Sequence, residues 1–128
     1  MSIAREIVDF AMKAGSSDIH LEEKSPIAVR VNSDIKISPQ NLDSDDMDEL
    51  LLELLGKDKL DEYNKTGDLD TSIGLEGLSR LRINAYVANE KRCLTLRLLP
   101  DNLPKWQELG LPDAFIELSK LHRGLILC

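Results

Sequence analysis

Apolar residues Ile3, Ile7, Phe10 and Ala14 recur at helical spacing, with Ser2 in an N-cap position and Gly15 where a left-handed C′ residue belongs. The spacing predicts a helix over residues 3–14 with those four residues facing the core. Residues 17–22 then alternate, Ile19 and Leu21 to one face and Asp18, His20 and Glu22 to the other. After Ser25-Pro26 the alternation resumes over residues 27–31, and a third strand follows around residues 35–37. Asp43-Ser44-Asp45-Asp46 sets acids at the positive end of a helix dipole, ahead of Met47, Leu50, Leu51, Leu54 and Leu55 and a stop at Gly56. A shorter helix over residues 58–65 ends before Gly67, and residues 68–75, 78–88 and 92–99 read as strands.

The remaining segment changes character. Pro100, Pro104 and Gly110 mark residues 100–111 as a linker, and Pro112 suits the first position of a helix carrying Phe115, Leu118 and Leu121. That helix is expected to close at His122-Arg123-Gly124, its cations matching the dipole. Leu125 to Cys128 reads as the start of a buried strand, the pattern of a chain that is a piece of a longer one. Helices and strands mix without a βαβ repeat, which makes the fold class α+β with an antiparallel sheet and packed helices.

Composition narrows the function classes. At 128 residues, with 42% hydrophobic and 30% charged positions, the chain buries a core without staples. No window approaches the ~18 apolar residues of a membrane span. A net charge of −7 argues against a surface that wraps nucleic acid. The charge is uneven: residues 41–70 hold eleven acids and three lysines, whereas residues 80–99 hold Arg80, Arg82, Lys91, Arg92 and Arg97 against Glu90 alone. Cys93 and Cys128 form no disulfide ladder and no CxxC, and the first residues lack the apolar core of a secretory signal, so a reducing cytoplasm is expected.

The basic stretch carries the chemistry. A turn at Asn89-Glu90 sets Leu81 against Leu98, Ile83 against Leu96 and Ala85 against Leu94, and the same register opposes Arg82 to Arg97 and Asn84 to Thr95. Opposed like charges destabilise a strand pair, so the two arginines require a compensating partner. One solution is a solvated network with Asp18, Asp68 or Asp70. The other is a bound phosphate, whose oxygens match the guanidinium fork.

Other chemistries find little support. Asp18 and His20 share a strand face but have no third ligand, so no metal site is expected. Asp68 and Asp70 precede a basic strand and read as its ion partners rather than as glycosidase carboxylates. The phosphate loop GxxxxGK[ST] is absent, since Gly56-Lys57 is followed by Asp58 and has Leu51 where the first glycine belongs. Two histidines far apart support no catalytic triad, and no catalytic residue is assigned within these 128 positions.

Six short motifs occur in order: 14–21 (AGSSDIHL), 29–32 (VRVN), 80–86 (RLRINAY), 96–100 (LRLLP), 108–112 (ELGLP) and 123–127 (RGLIL). In these the chain resembles the N-terminal part of the type II/type IV secretion ATPases, and among them the type IV pilus retraction motors of twitching motility. Leu81 stands where many members carry phenylalanine. The resemblance implies a PAS-like domain over residues 1–99, a linker over 100–111, and over 112–128 the first helix and strand of a RecA-like ATPase domain, ending before its Walker A loop. It implies ATP and Mg as cofactors of the parent enzyme, with Arg82 and Arg97 reaching the ATP phosphates and Arg80 and Arg92 as secondary candidates. Asp18 and His20 fall on a motif read as structural or interdomain. The parent is expected to be a cytoplasmic homohexamer docked on an inner-membrane platform protein, with no nucleic acid partner. Pilus assembly and type II secretion are alternatives within the family, and a stand-alone PAS-like module binding a ligand or a protein is the alternative outside it.

Overall fold

A computed structural model describes residues 1–127. Helix α1 spans Ile3–Lys13, strands β1, β2 and β3 span Asp18–Glu22, Pro26–Val31 and Asp34–Asn41, and helix α2 spans Ser44–Thr66. Strands β4, β5 and β6 follow at Asp68–Leu75, Ser79–Ala88 and Lys91–Leu99, and a short helix α3 at Ala114–Ser119. The six strands form one antiparallel sheet in the order β3-β2-β1-β6-β5-β4. Two three-stranded meanders, separated in sequence by α2, are thus joined by the long-range pairing of β1 with β6.

Alternation decides which sheet face is covered. Ile19 and Leu21 of β1, Leu81, Ile83 and Ala85 of β5, and Leu94 and Leu96 of β6 are buried together with residues of α1 and α2. The odd positions of β5 and the even positions of β6 therefore meet the helices, and the complementary set forms an open polar face. Burial of this single contiguous cluster is the main stabilising term of the fold.

Local chemistry sets the element ends. At the start of α2 the Asp43 carboxylate accepts from the Asp46 backbone N–H while Asp46 accepts from that of Asp43, a reciprocal capping box. As the sequence predicts, one helix stops at Gly56 and a second resumes after it: within the range given for α2, Gly56 is non-helical at φ 71° and ψ 168° and sets a kink between the two segments. Only glycine populates that region without strain. Tight turns at Asn32-Ser33 and Asn89-Glu90 have positive φ at both central residues, the geometry whose twist matches a hairpin.

Three expectations are corrected. The buried stripe of α1 is Ala4, Ile7, Val8 and Ala11, and Phe10 is 53% exposed. Ala4 and Ala11 let the helix approach closely, a fit that the larger Phe10 does not offer. Ser2 occupies the N-cap position but makes no capping bond, because its hydroxyl donates to Glu53 on α2 instead. Finally, α3 stops at Ser119, short of His122, and Leu125 to Leu127 form no strand, having no neighbour to pair with among the described residues. Cys128, counted in that strand and among the two thiols, lies outside the described residues.

Candidate functional site

The open sheet face is built as cross-strand rows. The β5–β6 register places Arg82 opposite Arg97 and Asn84 opposite Thr95, as the alternation predicts. On the far side of β6, Asp18 lies opposite Arg97, and Arg30 of β2 lies opposite Asp18. One row therefore reads Arg30, Asp18, Arg97, Arg82 and, on β4, Ser72. The next reads Ala28, His20, Thr95, Asn84 and Asp70. A shallow cavity of about 180 Å³ opens on these rows, lined by Asp18, Asp70, Arg82, Asn84, Thr95 and Arg97.

The opposed arginines find carboxylate partners in this geometry. Arg97 donates through Nε to Asp18 Oδ1 at 2.9 Å, and Arg82 donates through Nη2 to Asp70 Oδ2 at 2.9 Å, so two of the three acids considered as partners are engaged. Asp68 sits opposite Tyr86 and pairs with neither arginine. Three guanidiniums, those of Arg30, Arg82 and Arg97, face two carboxylates, Asp18 and Asp70, and the cluster keeps a positive surplus. Both opposed arginine side chains remain 63% exposed. An anion arriving from solvent meets them directly.

Asp18 is the buried member, only 7% exposed. Burial opposes its charge, but hydrogen bonds from Arg97 and Ser17, together with the charges of Arg97 and Arg30, outweigh that cost and hold the carboxyl below its ordinary value. Asp70 is also lowered, by its hydrogen bond from Arg82 and by the charge of that arginine. His20 stands in the second row, with Nε2 enclosed and without a hydrogen-bond partner among the described residues. It lines a neighbouring recess with Tyr86 and Cys93, whose thiol is pushed up by burial.

The secondary candidates separate. Arg80 shares the open face with Arg82, two residues along β5, and carries no carboxylate partner among the described residues. Arg92 points the other way. It has the parity of Leu94, Leu96 and Leu98, and donates to Glu23, Asp48 and the Ser44 carbonyl, tying β6 to the β1–β2 turn and the start of α2. Alternation alone places Arg92 on the helix side. Among the described residues no group of three or more His, Cys, Asp or Glu side chains gathers to hold a metal ion. No helix among them is long and apolar enough to cross a membrane.

No family model matches the chain. It is 28% identical over 123 residues to the type IV pilus retraction ATPase PilT of Pseudomonas aeruginosa, covering 95% of the chain and 36% of PilT. The crystal structure of the pilus retraction motor PilT with bound ADP superposes with a TM-score of 0.79 at 33% identity, over 96% of the chain and 36% of that motor. The chain matches the N-terminal region of PilT. The uncharacterized protein YggR of Escherichia coli K12 is 36% identical over 122 residues, covering 95% of the chain and 37% of YggR. The chain thus spans a little over a third of the length of these relatives. Its six-stranded antiparallel sheet with packed helices is the fold of the PilT N-terminal domain, and the chain is related to the pilus and secretion ATPases.

Proposed function

We propose that this chain is the nucleotide-closing N-terminal domain of a type IV pilus retraction ATPase. Residues 1–99 are the domain, 100–111 the linker, and 112–128 the beginning of the ATPase core. In this reading the open sheet face closes over ATP held by that core, and Arg82 and Arg97 grip its phosphates. The observation that carries the proposal is the direct opposition of Arg82 and Arg97 on an exposed face with a surplus of positive charge. Like charges held this close are stabilised by an anion between them, and the guanidinium fork suits phosphate oxygens. The PilT match supplies the nucleotide, since the superposed motor contains ADP.

ATP supplies the phosphoryl group whose hydrolysis drives the motor. This chain's own residues bind and orient: Asp18 fixes the Arg97 side chain, Arg82 faces it, and Arg80 extends the basic strip along β5. The parent assembles as a homohexamer, this domain packing on the ATPase core of a neighbouring subunit, in a cytoplasmic ring on an inner-membrane platform protein.

The test is ATP turnover by the product of the complete reading frame. Arg82→Ala and Arg97→Ala each lower kcat by about a hundredfold, the scale of a lost oxyanion donor, while folding and hexamer formation are unchanged. Full turnover in both variants overturns the assignment.

A further inference from the structure

The two opposed arginines are held in different ways. Arg97 engages its carboxylate through Nε alone, and the terminal nitrogens of its guanidinium make no hydrogen bond among the described residues. Its anchor, Asp18, is buried and receives a second bond from Ser17 Oγ at 2.8 Å. Arg82 by contrast presents two nitrogens to both oxygens of Asp70, Nη2 at 2.9 Å and Nε at 3.5 Å. Asp70 is half exposed, at 50%, and accepts no other side-chain hydrogen bond among the described residues. One arginine is anchored from behind with its fork free, and the other has its fork occupied.

We propose that Asp70 is a latch on this anion site: it fills the oxygen-binding edge of Arg82 in the resting domain and is displaced when a polyphosphate binds between Arg82 and Arg97. Asp18 has the opposite role and positions Arg97 for that anion. The proposal rests on the nucleotide-phosphate reading above and adds to it a competitor internal to the chain. An exposed carboxylate–guanidinium pair is weak and exchanges readily with solvent ions, so the latch opens at little cost. A single carboxylate satisfies Arg82 and leaves the repulsion between Arg82 and Arg97 in place. An anion with several charges contacts both, so the latch favours polyphosphate over monovalent anions.

Two chemically identical acids on one sheet face are thereby assigned effects of opposite sign. The experiment titrates inorganic tripolyphosphate into the 128-residue chain at low ionic strength, following the arginine Nε–H resonances and the heat of binding. Asp70→Asn tightens binding by about threefold, the scale of a lost exposed ion pair. Asp18→Asn weakens it by at least as much. Asp68→Asn, which removes the same charge from the same strand without touching either arginine, produces a smaller change than Asp70→Asn. In an Arg82→Ala background, Asp70→Asn has no further effect.

Equal tightening by Asp68→Asn reduces the effect to net charge and overturns the latch. So does unchanged or weakened binding in Asp70→Asn while Arg97→Ala still weakens binding, an outcome that leaves the anion site standing. Binding that is absent, or indifferent to both arginine substitutions, overturns the phosphate reading and the latch together. Asp70 is exposed, so its variant folds and the test does not depend on the buried Asp18.

Discussion

Asp18 and Arg97 face each other across the β1–β6 pairing that joins the two halves of the sheet, with Arg97 Nε 2.9 Å from Asp18 Oδ1. The contact spans 79 positions of sequence. It connects the architecture to the candidate site, because the seam that closes the sheet also carries the carboxylate that orients one of the two arginines. Arg30, 3.8 Å away on β2, completes the charge balance around the buried acid.

Removing Arg97 moves the Asp18 carboxyl upward. Burial is the largest influence on this group and persists in Arg97→Ala, whereas the hydrogen bond and the charge of Arg97 disappear. In the native domain its lowered pKa contributes stability above the ordinary value of 3.8, lost as pH falls through the folded value. In the variant the folded value moves back towards or past the ordinary one, so this stabilising contribution shrinks and less stability is lost as pH falls below 3.8. A side-chain carboxyl NMR titration reads the shift, and an unmoved Asp18 assigns its perturbation to other neighbours.

A second acid controls stability away from the site. Glu23 accepts from Arg92 Nη2 and Nε at 2.9 and 3.0 Å, and its carboxyl is lowered from 4.5 to about 2 by hydrogen bonds from Arg92 and Ser44. The contribution is complete above pH 4.5 and lost as pH falls towards 2. Glu23→Gln therefore flattens the acid limb of the melting-temperature profile relative to the native chain. Parallel profiles for the two proteins remove Glu23 as the source of that limb.

The buried faces of β5 and β6 were legible from their apolar alternation, which pairings shifted by two residues satisfy equally; placing the turn at Asn89-Glu90 is what selects the register found. The opposition of Arg82 and Arg97 follows from the alternation and that turn together. The anchoring of Arg97 by Asp18 did not follow, because β1 meets β6 through a long-range pairing that no local pattern encodes. Phe10 was misplaced for a different reason: two overlapping stripes fit the first helix, and the one with small Ala4 and Ala11 permits the closer approach. The interruption at Gly56 was legible because a glycine closing an amphipathic stretch marks a helix end, and its non-helical φ of 71° divides α2 into two segments there.

The kink itself is testable. Gly56 has φ 71° and ψ 168°, and a Cβ built there meets nothing within 4 Å. The cost of Gly56→Ala is therefore backbone strain rather than a clash, about 1–3 kcal/mol of unfolding free energy by chemical denaturation. A variant as stable as the native chain shows that α2 straightens at negligible cost.

The hairpin turn offers the converse change. Asn89 and Glu90 have φ of 52° and 62°, and a two-residue turn of this hand favours Asn followed by Gly. Asn89 tolerates the left-handed region, but the Cβ of Glu90 crowds the backbone there. Glu90→Gly relieves that strain, and the greater freedom of glycine in the unfolded chain offsets part of the gain. The expected net stabilisation is about 0.5 kcal/mol, read as a higher denaturation midpoint at unchanged slope. The substitution also removes the one acid between residues 80 and 99, eight positions along the chain from Arg82 and seven from Arg97 and far outside their ion pairs. Tripolyphosphate binding therefore stays close to native while stability rises. If binding changes with Glu90→Gly, the turn and the arginine rows are coupled through the strand register, and the rigid ladder linking Arg82 to Arg97 gives way to one that slips.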